Sequence, residues 1–88
     1  MFTGHHDLGA SLFATWSDSR KEEEIEKLVQ GYRNGVPVGI LIKMSETIAG
    51  SEKQAKRILR RLLTRNERRR AIREAQGGMK LLVTEWFE

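Results

Sequence analysis

Along this chain the spacing of apolar positions changes from block to block, and each change predicts a new element. Ile25, Leu28, Val29 and Tyr32 stand at i, i+3, i+4 and i+7, the single stripe of an amphipathic helix. Ser19 and Glu22 have capping-box spacing ahead of it, Glu22, Glu23, Glu24 and Glu26 crowd the end where the helix dipole tolerates negative charge, and Asn34-Gly35 supplies a stop. In VPVGILIKM the period drops to two. Val36, Val38, Ile40, Ile42 and Met44 alternate with Pro37, Gly39, Leu41 and Lys43, which predicts a strand with Pro37 near its start or on an edge. Ser51 and Gln54 form a second cap, opening a helix with the stripe Ala55, Ile58, Leu59, Leu62 and Leu63. Continued at 3.6, that stripe would meet Asn66, Arg69, Arg70 and Arg73, so the helix is expected to break near Thr64 to Asn66 or to leave the body as a solvated arm. Gln76-Gly77-Gly78 ends the element, and MKLLVTEWF, 79–87, alternates as a last strand; LGASLFATW, 8–16, does so more weakly.

The predicted order is strand, helix, strand, helix, strand. For a single 88-residue domain it implies an α+β fold, a small β-α-β-α-β sheet with helices mainly on one face, with residues 1–7 as a flexible tail. The uncovered sheet face would carry Phe13, Leu41, Leu82 and Trp86. That patch is more apolar than a small monomer usually shows to water, so it is expected to meet a partner, most simply a second copy in a homodimer.

A second fold stands beside this one. IAGSEKQAKRILRRL followed by ERRRAIREAQGGMKLLV resembles the recognition helix and two-stranded wing of a winged helix-turn-helix, with Ile40 to Ala49 as the preceding helix and the wing turning at Gly77-Gly78. It ranks second because Lys56 and Arg57 fall where such helices place a buried apolar residue, and because Val36 to Met44 alternates.

Composition removes several kinds of chemistry. With no cysteine, disulfides, thiolate zinc sites and cysteine nucleophiles are excluded. No apolar run approaches the roughly 20 residues of a membrane span, and MFTGHHDLGASLF has no basic segment before its apolar residues. The expectation is a soluble, intracellular, cytoplasmic protein with no membrane partner. The net charge of +4 is unevenly spread: residues 1–34 carry −2, residues 35–50 zero and residues 51–88 +6. A cationic end favours nucleic acid, anionic lipid or an acidic protein as partner.

The sharpest candidate site follows from that asymmetry. Lys53, Lys56, Arg57, Arg60 and Arg61 lie opposite the leucine stripe, and Arg65, Arg68, Arg69, Arg70 and Arg73 continue the charge, with Glu67 the one acid between positions 53 and 73. Most charge runs are solvated helix surface. A helix shaped for solubility mixes signs, however, and unpaired like charges cost a few tenths of a kcal/mol each. Phosphate offsets that repulsion, since guanidinium offers it a bidentate fork and binding releases counterions. The ten residues therefore predict a regulatory, non-catalytic protein that binds DNA or RNA. The rival is an adaptor that grips an acidic protein with the basic helix or the apolar sheet face.

Other candidates carry less. His5, His6 and Asp7 are adjacent side chains without further ligands, a poor metal site. The glutamates at 22, 23, 24 and 26 are expected to be solvated and without a pocket, so no catalytic residue and no cofactor is predicted. Gly50-Ser51 reads as a cap, its spacing not being that of a nucleotide loop. Trp16 and Trp86 fall in apolar patterns and read as core or interface, not as stacking platforms for bases.

Overall fold

The computed structural model describes residues 12–88, and within them there is no strand. After a helical segment over 12–14 come α1 (Asp18–Arg33), α2 (Val38–Ala49), α3 (Glu52–Leu62), α4 (Arg65–Glu74) and α5 (Gly78–Phe87). The described residues are all-α, which overturns the α+β sheet. The winged alternative fails as well: α2 and α3 follow one another across Gly50-Ser51, but the supposed wing after Gly77 is helix α5. The expected tail 1–7, the His5-His6-Asp7 cluster and residues 8–11 of the first predicted strand lie outside the described residues.

The physical reason for the correction sits in α2. The alternation from Val36 to Met44 is rich in β-branched residues that favour strands. Carried on to Ala49, the buried positions are Val38, Leu41, Ile42, Ser45, Ile48 and Ala49, a helical series. Leu41 and Ile42 are adjacent and both buried, 1% and 0% exposed, whereas Ile40 and Met44 are 48% and 47% exposed. A strand would have placed Leu41 and Ile42 on opposite faces. Pro37 stands at the N-cap of α2, where its missing N–H costs nothing, and Gly50 closes the helix in the left-handed region at φ 89°. In α5 the same holds: Val83, Trp86 and Phe87 are buried and Met79 and Leu82 pack beside them, at helical intervals.

Caps place the corners. Ser17, not Ser19, caps α1 by accepting from the Arg20 amide, and Ser51 accepts from the Gln54 amide at α3. Between α3 and α4 the backbone turns at Leu63 and Thr64, and a full capping box joins Thr64 and Glu67. The basic segment is thus no free arm: Ala71 and Ala75 of α4 are buried and Ile72 packs on the core. Helices α1, α2 and α3 pack on one another, α4 packs on α5, and α5 packs back on α3. The core joins Ile25, Val29 and Tyr32 of α1 with Leu41, Leu59, Leu63 and Trp86.

The apolar quartet proposed as an interface loses the sheet face it was assigned to. Leu41 and Trp86 belong to the interior of the single chain, with Phe13 and Leu82 packed partly against it. Among the described residues, the large apolar side chains that do reach solvent are Leu12, Val36, Ile40, Met44 and Leu81. No helix among the described residues is long and apolar enough to cross a membrane.

Candidate nucleic-acid interface

Helix α3 buries Ala55, Ile58 and Leu59, so the side chains on its other side are set by the helical period. Lys53, Lys56, Arg57 and Arg60 stand at i, i+3, i+4 and i+7 and line a shallow open recess with Ser51 and Gln54. Lys53 and Arg57 are exposed, while Lys56 and Arg60 are half-buried along their stems. On α4, Arg65, Arg69 and Arg73 recur at i, i+4 and i+8 and are all exposed.

The ten basic residues do not form one uniform surface, because several are tied by contacts within the molecule. Arg61 forms an ion pair with Glu22 of α1. Arg60 donates from Nη1 to the Trp86 carbonyl at 2.8 Å, tying α3 to the last turn of α5. Arg68 donates from Nη1 to the carbonyls of Arg60 and Leu63, both at 2.9 Å, which satisfies acceptors left open at the end of α3. Arg70 lies 5.5 Å from the Tyr32 ring centroid and 3.6 Å from the Glu74 carboxylate. The Tyr32 hydroxyl beside it is the main cause that raises its pKa. The Tyr32 hydroxyl also donates to Glu74 at 3.1 Å, and burial above all raises the Tyr32 pKa.

Glu67, the lone acid of the run, serves none of its neighbouring arginines. Arg33 of α1 grips it with a fork, Nε at 2.6 Å and Nη2 at 3.0 Å, while the Thr64 amide donates to the same carboxylate at 2.9 Å. The fork from Arg33 is the chief cause that lowers its pKa to about 2. Among the described residues, Lys53, Lys56, Arg57, Arg65, Arg69 and Arg73 then have no acidic partner within ion-pair distance. Arg57 instead donates from Nε at 3.2 Å and Nη2 at 2.6 Å to the Gln54 side-chain oxygen, a neutral partner that leaves its charge intact.

On the α1 side of this surface, Asp18, Lys21 and Glu22 face Gln54, Arg57 and Ile58 across a small recess, with Lys21 Nζ 3.5 Å from the Ala49 carbonyl. Gln54 is not recognisable from the sequence as a partner of Arg57, although the i, i+3 spacing permits it. The long-range ties from Arg33 to Glu67 and from Arg60 to Trp86 leave no periodic trace. No protein-family model, no curated protein and no solved structure matches the chain.

Proposed function

We propose that this protein binds nucleic acid without catalysis, contacting phosphates with Lys53, Lys56 and Arg57 of α3 and with Arg65, Arg69 and Arg73 of α4. The observation that supports this is the division of the basic residues. Six of the ten have neither an acidic partner nor a bond to a backbone carbonyl among the described residues, while Glu67, the one acid between positions 53 and 73, is taken up by an arginine from another helix. A solvated surface gains from mixed signs, whereas a phosphate-binding surface needs its cations free. Arg60, Arg61, Arg68 and Arg70 contribute to the fold first and to the field only at longer range.

Binding of this kind is strongly salt-dependent. With about four to six phosphates contacted, the slope of log K against log salt is about −4 to −5 on duplex DNA. Anisotropy titrations with random duplex and single-stranded oligonucleotides, from about 50 to 200 mM salt, test it. The Lys53→Glu/Lys56→Glu variant and the Arg65→Glu/Arg69→Glu variant are each expected to weaken binding at low salt and flatten the slope. Wild-type binding that is independent of salt, or variants that bind as wild type does, would refute the proposal.

A further inference from the structure

Resting on the nucleic-acid reading of α3 and moving Arg57 from phosphate to base contact, we infer that this helix reads guanine in the major groove of duplex DNA, with Arg57 as the reading side chain and Gln54 as the residue that aims it. Ser51, Glu52, Lys53, Gln54 and Arg57, on the first two turns of α3, are all exposed. A helix of this kind fits the major groove of B-DNA, about 12 Å wide, but not the deep, narrow major groove of A-form RNA.

The hydrogen bonds between Arg57 and Gln54 decide which base edge fits. Gln54 uses its side-chain oxygen as the acceptor for Nε and Nη2 of Arg57, so only its amide N–H groups remain available. An adenine edge needs a donor and an acceptor together, and this amide has lost its acceptor. Arg57 keeps both Nη1 hydrogens and one on Nη2, which form an end-on fork. The pair therefore presents donors only. Guanine is the base whose major-groove edge presents two acceptors, N7 and O6.

The surroundings orient such a complex. Lys53 and Lys56 line the same open recess as the pair and supply cations for the flanking phosphates. Asp18 stands on the α1 side of Arg57, where its carboxylate repels a phosphate backbone, whereas Glu22 beside it is paired with Arg61. The DNA backbone is thereby directed to the lysine side. Glu52, exposed beside Lys53, suits the N4 amine of the paired cytosine as an acceptor.

Selection of bound sequences from a randomised duplex pool, followed by anisotropy titration at fixed salt, tests the inference. The wild type is expected to recover sites with guanine in a fixed position and to lose about tenfold or more in affinity when that G·C pair becomes A·T. Arg57→Lys keeps the charge but removes the fork; it should abolish the G·C preference, so that G·C and A·T sites are bound with equal affinity. Gln54→Ala should reduce the same preference ratio, a readout that a purely structural role would not move. Both side chains are exposed, and circular dichroism checks that the variants fold. Duplex binding with no base preference, a preference that survives Arg57→Lys, or tighter binding to an RNA duplex would overturn the inference and leave the nucleic-acid reading standing. Failure of the wild type to bind any nucleic acid at low salt would overturn both.

Discussion

Alanine substitution along α2 separates a helix from a strand residue by residue. Leu41 and Ile42 are 1% and 0% exposed, and Ile40 is 48% exposed. Truncating either buried side chain removes its burial and leaves a cavity, at about 2–5 kcal/mol each. For a domain of this length, total stability is about 4–13 kcal/mol, so each loss is a large fraction of the whole. Even the smaller figure lowers Tm by about 8 °C or more. Ile40→Ala should cost about 1 kcal/mol or less, because half of the side chain is already in water and alanine is the better helix former. Urea unfolding followed by the fluorescence of buried Trp86 measures all three. A strand would make positions 40 and 42 alike and set 41 apart. If Ile40→Ala proves as costly as Ile42→Ala while Leu41→Ala is mild, the helical register assigned to α2 is wrong.

Three further outcomes follow from particular contacts. Ser45 is fully buried and its hydroxyl has no hydrogen-bond partner, so Ser45→Ala is expected to raise stability by about 1 kcal/mol, read as an upward shift of the urea midpoint. Thr64→Ala removes the capping oxygen of α4 and should cost about 1 kcal/mol by the same measurement, whereas Thr64→Ser should restore most of it. Glu67 has a folded pKa of about 2 against an ordinary value of 4.5, so its contribution is complete above about pH 4.5 and is lost as pH falls towards 2. Glu67→Gln should therefore lower stability at neutral pH and make the acid limb of the stability profile shallower; an unchanged acid limb would exclude this carboxylate as a source of acid sensitivity.

What the sequence disclosed depended on how far each pattern ran. The stripes Ile25 to Tyr32 and Ala55 to Leu63 extend over two turns or more, and both face the core. Over Val36 to Met44 the β-branched residues imitate a period of two, and the deciding positions, Ser45, Ile48 and Ala49, come afterwards. In MKLLVTEWF the apolar residues are dense enough to satisfy either period, and Val83 with Trp86 and Phe87 decides for the helix only once burial is known. The cationic surface was legible as charge but not as a division of labour. Which arginines are free depends on contacts such as Arg60 to Trp86, 26 residues apart, and Arg33 to Glu67, 34 apart. Composition and periodicity carry no information about such pairings.

The grip of Arg33 on Glu67 has a mechanical consequence. That carboxylate sits at the hinge where the chain passes from α3 to α4, and it is clamped from a helix that contributes none of the six free cations. The angle between the two positively charged helices is thus braced from behind, as a bracket holds a shelf. A lesion in α1 can alter how the two helices are presented together without touching a single residue that faces outward.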